Sequence, residues 1–316
     1  KISSFSSPLA VGMSGNFRQM KRRILNIAVF RKETLYQKMR ALIIYLVISA
    51  VFIGCTPILS IDASTQNVYH FSDTDKNISL LDISETFGTY DGSFVLYDNN
   101  LDSWKIYDLE EATKRIPPES TYKIYDALLG LESGIITPEH SSMTWNGDAS
   151  PFPSWEADQD LNSAMQNSVN WYFQAIDSQL GINRVQEFLN KIEYGNQTTS
   201  SNLDLYWSDF SLKISPLEQV TLLKKFNTNE FHLNFQNVFS VKNAIKIAST
   251  PNGNFYGKTG TGRVNGQDIN GWFIGYVETS DNSYYFATNI QSDSNATGKK
   301  AFEITSDILK KLHIWN

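Results

Sequence analysis

The chain has 316 residues, 41% of them hydrophobic and 19% charged, which suits one large folded domain or two small ones and excludes a disordered chain. Its net charge of −6 is unevenly spread: residues 1–40 hold nine Lys and Arg against one acid, Glu33, leaving +8 there and −14 in the remainder. That balance excludes electrostatic nucleic-acid binding by the long C-terminal part. The single cysteine, Cys55, excludes an intramolecular disulfide and a Cys-rich metal site. His70, His140, His232 and His313 are scattered without HExxH spacing, so no metal site is expected.

The chain opens at Lys1 inside a pattern, which reads as a piece of a longer protein. Residues 16–40 mix basic and apolar side chains. This suits a helix lying on an anionic membrane face or, equally, one belonging to a cytoplasmic domain. The apolar run 41–59 carries no charge and as a helix would span roughly 28 Å, near the thickness of a bilayer core. Arg31, Lys32, Lys38 and Arg40 precede it, and the next basic residue is Lys76. The positive-inside rule therefore places residues 1–40 in the cytoplasm, 41–59 in the membrane and the rest outside. A leader ending at Gly54-Cys55, like a lipoprotein cleavage site, is the competing reading, and a buried core helix is the third.

Residues 60–87 are polar and read as a linker with a short helix near Leu80. Gly92–Tyr97 and Trp104–Tyr107 read as paired strands around Asp98-Asn-Asn100. A helix follows Pro117-Pro118, with apolar residues at Tyr122, Tyr125, Leu128 and Leu129. Asp160–Leu180 and Val185–Ile192 read as two helices. Ser215-Pro-Leu-Glu218 fits a capping box opening a helix to about Phe226, and Phe239–Ala248 is another. Strands follow at Asn254–Lys258, Asn270–Val277 and Tyr284–Ile290, the last two joined as a hairpin through residues 279–283, before an amphipathic helix at Ala301–Leu312. Strands, helices, strands and a last helix predict an α/β (α+β) fold, an antiparallel sheet flanked by helices.

Ser120 and Lys123 stand three residues apart, one turn on a common helix face. A buried lysine with a lowered pKa can take the serine proton. Ser168, in Asn167-Ser-Val-Asn170, can shuttle a proton to the leaving group. Lys258 and Thr259 on a strand can dock a substrate carboxylate, and the Thr261 N–H can pair with that of Ser120 as an oxyanion hole. Alone, a Ser-x-x-Lys is more often a solvated helix face and a Lys-Thr-Gly an ordinary strand end. Together and in this order they specify a nucleophilic serine.

Ser120-Thr-Tyr-Lys123, Tyr194-Gly-Asn196, Tyr206-Trp207 with Leu212-Lys-Ile-Ser215, and Lys258-Thr-Gly260 resemble the motif series of class D serine β-lactamases. Trp145-Asn-Gly, Trp155, Asp160-Leu161 and Ala164-Met-Gln166 extend the likeness over residues 88–316. The resemblance implies the penicillin-recognising serine β-lactamase/transpeptidase fold, with Ser120 acylated. It implies Lys123 as a base able to act as its CO₂ adduct, a carbamate bound by Trp207. Lys258, Thr259 and Thr261 would hold the β-lactam. No other cofactor is implied.

One position departs from that pattern. Two residues after the motif serine, hydrolytic class D enzymes usually carry an apolar residue, and here it is Asn170. An amide beside Lys123 would hydrogen-bond the plain ammonium and disfavour the carbamate. No base would then activate water, and the acyl group would stay. With the apolar run and its basic flank, the chain resembles the β-lactam sensor-transducer receptors of staphylococci and bacilli. Residues 1–40, including Pro8-Leu-Ala-Val-Gly-Met-Ser-Gly15, resemble the end of their cytoplasmic metalloprotease domain. The resemblance implies an extracellular penicillin-binding sensor at 88–316, β-lactams as ligands, and a cytoplasmic transcriptional repressor as a partner through the protease domain, whose zinc motif this chain lacks. A membrane-tethered class D β-lactamase with turnover is the alternative.

Overall fold

The computed structural model describes residues 76–316 continuously, together with 67–72, 74 and five positions between 35 and 42. The chain divides into two compact units, Lys1–Ile61 and Asp62–Asn316. Nearly all of the first, including the apolar run 41–59 apart from Leu42, lies outside the described residues. Among the described residues, no helix is long and apolar enough to cross a membrane.

In chain order the second unit contains β1 (Asn77–Leu80), α1 (Ser84–Phe87), β2 (Asp91–Asp98), β3 (Ser103–Tyr107) and α2 (Leu109–Thr113). A 3₁₀ turn (Glu119–Tyr122) runs into α3 (Lys123–Glu132). Then come α4 (Leu161–Gln166), α5 (Asn170–Leu180), α6 (Ile182–Ile192), α7 (Pro216–Asn227) and α8 (Phe235–Ala244). The chain ends with β4 (Lys246–Thr250), β5 (Gly253–Val264), β6 (Gln267–Thr279), β7 (Ser283–Gln291) and α9 (Gly298–Lys311).

The strands form one sheet in the order β1-β3-β2-β7-β6-β5-β4. All its pairings are antiparallel except β1 with β3, so the sheet is mixed rather than wholly antiparallel. The alternation of side chains along each strand splits the core into two layers. Phe94, Leu96, Phe273, Val277, Phe286 and Ile290 face α9, with Ala301, Ile304 and Ile308 opposite them. Val95, Tyr97, Trp272, Ile274, Tyr276 and Tyr285 face the helical layer of α3, α5 and α7. The expected serine β-lactamase/transpeptidase-like α/β architecture is present.

Several boundaries differ from the sequence reading. The segment near Leu80 is strand β1, held by β3, and the short helix lies at Ser84–Phe87. The helix expected over 160–180 is two: the chain breaks at Asn167–Val169, where Ser168 adopts φ +56°. The helix expected over 239–248 begins at Phe235, where the Asn234 side chain accepts from the Gln236 N–H, and residues 246–250 are edge strand β4. The capping box at Ser215 is present in both directions: Ser215 N–H donates to Glu218 at 2.9 Å, and Glu218 N–H donates to Ser215 Oγ at 3.3 Å.

Candidate active site

Ser120 sits in the 3₁₀ turn rather than in an α-helix, and Lys123 is the first residue of α3. The turn is clamped from several sides. Glu119 N–H donates to the Trp207 carbonyl at 3.0 Å, and Trp272 Nε1 donates to the Pro117 carbonyl at 2.8 Å. Thr121 Oγ1 donates to the Pro118 carbonyl at 2.6 Å. Strand β5 passes against the turn so closely that a Cβ on Gly260 would lie 3.0 Å from Glu119 Cβ and 3.2 Å from the Ser120 nitrogen. Glycine in Lys258-Thr-Gly260 is the residue that permits this approach.

Lys123 Nζ donates to Ser120 Oγ at 3.0 Å and to Asn170 Oδ1 at 2.8 Å. Asn170 opens α5 directly after the break that presents Ser168. The ammonium also lies 5.4 Å from the Trp207 ring centroid and 5.6 Å from that of Phe173. Lys123 is 1% exposed. Burial pushes its pKa down to about 8, against the opposing pull of Asp126, Glu119 and Asp177.

Lys258 Nζ donates to Ser168 Oγ and, at 3.0 Å, to the Thr259 carbonyl. Burial, with the nearby Lys123 charge, lowers Lys258 to about 7. Thr261 Oγ1 accepts from the Gly298 N–H at 2.9 Å, joining β5 to the start of α9. Ser120, Trp155, Ser168, Asn170, Thr259 and Thr261 line one cleft of about 580 Å³.

The structure thus brings Ser120, Lys123, Ser168, Asn170, Trp207, Lys258, Thr259 and Thr261 together. Tyr194-Gly-Asn196 serves differently. Asn196 exchanges backbone and side-chain hydrogen bonds with Lys213 and donates to the Ser211 carbonyl at 2.7 Å. It fastens the loop that carries Trp207. Three acids the motifs did not flag, Glu119, Asp126 and Asp177, are buried around Lys123. The signal for Asp126 was present: a charged residue three after Lys123, on a helix otherwise apolar.

A carbamate on Lys123 was tested against these neighbours. Asn170 turns its carbonyl oxygen, an acceptor, toward Nζ at 2.8 Å. A carbamate would set a second acceptor there, so the residues present do not fit that group.

Fold and site define a serine-acylating domain of the penicillin-recognising type. The family described as "Penicillin binding protein transpeptidase domain" matches residues 92–310. The chain is 43% identical over 314 residues to the regulatory protein BlaR1 of Bacillus licheniformis, covering 98% of this chain and 52% of that protein. Among solved structures, the C-terminal domain of the Bacillus licheniformis BlaR penicillin-receptor superposes with a TM-score of 0.74 at 45% identity, covering 77% of this chain and 99% of that one. The class D β-lactamase BAT-2 superposes with a TM-score of 0.70 at 36% identity, over 75% and 97% of the two chains. The chain belongs to the penicillin binding protein transpeptidase domain family, in its branch of β-lactam sensor-transducers with a class D β-lactamase-like sensor. It spans about half the length of the curated relatives it matches.

Proposed function

We propose that residues 88–316 are the extracellular sensor of a transmembrane β-lactam receptor, acylated at Ser120 and slow to release the acyl group. The single observation that carries this reading is the hydrogen bond from Lys123 Nζ to Asn170 Oδ1 at 2.8 Å.

Acylation follows from the geometry. The neutral fraction of Lys123 takes the Ser120 hydroxyl proton as Oγ attacks the β-lactam carbonyl carbon. The N–H groups of Ser120 and Thr261 stabilise the developing oxyanion. The C–N bond then breaks, and the leaving nitrogen takes a proton from Ser168, replenished by Lys258 through their hydrogen bond. Thr259 and Thr261 receive the substrate carboxylate at the mouth of the cleft.

Deacylation needs a base for water, and Lys123 is not available for that work. It gained the serine proton during acylation, and Asn170 stabilises the resulting ammonium. The acyl-enzyme therefore persists and serves as a signal. In this reading residues 1–40 lie in the cytoplasm, residues 41–59 cross the membrane, and the repressor is reached through a protease domain outside this chain. No direct nucleic-acid contact is proposed.

Intact-mass spectrometry of the chain mixed with one equivalent of benzylpenicillin tests the proposal. A single adduct on Ser120 that persists for hours supports the receptor. Return to the free mass within seconds, with penicilloate accumulating, identifies a hydrolytic class D β-lactamase instead.

A further inference from the structure

Helices α3 and α5 pack against each other, and two pairs of polar residues cross between them. The first is Lys123 with Asn170. Three residues along α3 from Lys123 stands Asp126, and seven along α5 from Asn170 stands Asp177. These steps of one and two turns keep each residue on the facing side of its helix. Asp126 and Asp177 consequently form the second pair, directly beneath the first. Both are completely buried. They act on each other, and Asp177 also acts on the Tyr206 hydroxyl. None of their four oxygens reaches a partner in good hydrogen-bond geometry, and neither do the hydroxyls of Tyr122 and Tyr206. Neither acid is part of the acylation chemistry described above, and a buried acid pair without an ion-pair partner calls for a role.

We propose that Asp126 and Asp177 share a single proton and act as one anion beneath Lys123, making them positioning residues that hold Lys123 as an ammonium and withhold its free amine from CO₂. The inference rests on the proposed slow-deacylating receptor and deepens it. Two carboxylates this close in an apolar interior cannot both ionise, so the pair titrates as a unit. Burial pushes both carboxyls upward, and each reinforces the other.

The remaining charges around Lys123 are accounted for. From the 3₁₀ turn comes Glu119, itself raised to about 8 by burial. From β5 comes Lys258, whose charge opposes that of Lys123. Tyr122 and Tyr125 on α3, and Tyr194 and Tyr206 on the loops, are all driven upward by burial and stay neutral. The acid pair is thus the counter-charge from the helical layer. Only a neutral amine captures CO₂ or accepts the serine proton. An anion that raises Lys123 slows both, and so trades acylation rate for adduct lifetime.

The test compares acylation rates by a chromogenic cephalosporin, over about pH 6 to 10, for the full chain and for Asp126→Asn and Asp177→Asn. Removing the anion should move the alkaline rise down by about one pH unit, giving about tenfold more free amine at neutral pH. A role confined to packing would lower the plateau and leave the midpoint in place, and an unmoved midpoint in both variants overturns the proposal. Should neither variant fold, infrared spectroscopy of Glu119→Gln decides. A protonated-carboxyl stretch at neutral pH that shifts on acylation supports the shared proton, and its absence overturns it. Rapid turnover by the unaltered chain would overturn the receptor reading while leaving the midpoint comparison intact.

Discussion

Asn170 Oδ1 accepts a hydrogen bond from Lys123 Nζ at 2.8 Å, 0.2 Å shorter than the bond from the same nitrogen to Ser120 Oγ. The lysine that must deprotonate the nucleophile is therefore also bound to a group that favours its protonated form. This competition separates a serine that is acylated and waits from one that turns over.

Replacing Asn170 by Val removes the acceptor and leaves an apolar wall beside Nζ. The ammonium loses a charge-assisted hydrogen bond, of the kind worth about 1.5–3 kcal/mol. By that amount the balance moves toward the free amine, which can capture CO₂. The adduct lifetime on benzylpenicillin should fall at least about tenfold for Asn170→Val, and more in bicarbonate. Steady-state hydrolysis measured with and without bicarbonate checks this, and an unchanged lifetime under both conditions would refute it.

Acylation should follow the protonation of Lys123. Its pKa is lowered to about 8 by burial, and only the neutral amine accepts the serine proton. The acylation rate should therefore rise with pH through about 8. The cost of burying the ammonium is fully present below that value. It is relieved as pH rises from about 8 toward the ordinary lysine value of 10.5, so this group makes the fold more stable with rising pH in that window. Stopped-flow rates against pH test the first statement. Lys123→Met should reduce acylation by about 10²–10⁴-fold at every pH.

Glu119 gives the opposite sign. It is 6% exposed and accepts a 3.3 Å hydrogen bond from Asn270 Nδ2. Burial raises its pKa from 4.5 to about 8. Between those values the folded state holds a proton that the unfolded state has released, so stability from this residue falls as pH rises and is lost above about 8. Glu119→Gln keeps the shape and the Asn270 contact without the charge. It should raise Tm by several degrees at about pH 8, an effect of the order of a few kcal/mol. Near pH 4 the gain should vanish. Differential scanning calorimetry at the two pH values decides, and an equal gain at both would show that ionisation is not the cause.

The chemistry was more legible in the sequence than its supports. Ser120, Lys123, Ser168 and Lys258 were identifiable because a serine acylation site needs those residue types in that order. The break that aims Ser168 was not, because periodicity continues across 160–180 and only the φ of +56° at Ser168 interrupts it. Strand β1 was hidden because Asn77-Ile-Ser-Leu80 is short and mostly exposed, so its partner β3 rather than its own pattern holds it. Residues 245–250 were read as helix although Ile245, Ile247 and Thr250 favour strand. The Asn234 cap that starts α8 four residues earlier was overlooked. Asp177 carried no local mark at all. Its meaning comes from α3, which faces it only after folding.

The last prediction concerns the clasp behind Trp207. Gly195 adopts φ +53°, and a Cβ there would lie 1.9 Å from the Lys213 carbonyl oxygen, a backbone atom that cannot swing aside. The same Lys213 carbonyl accepts the Asn196 N–H at 2.9 Å. Gly195→Ala would therefore strain the left-handed backbone and push the 206–214 segment away from Asn196. Because the Trp207 carbonyl holds Glu119 N–H at 3.0 Å, that displacement reaches the residue before the nucleophile. Gly195→Ala should lose roughly 2–4 kcal/mol of stability, the range for clash and strain at a special backbone position. Acylation should also slow while the Lys123 midpoint stays in place. Denaturant unfolding and the acylation pH profile test this together. A stable variant with normal acylation would show that the clasp does not position the site, whereas a stable variant with slowed acylation would show that its role is positioning alone.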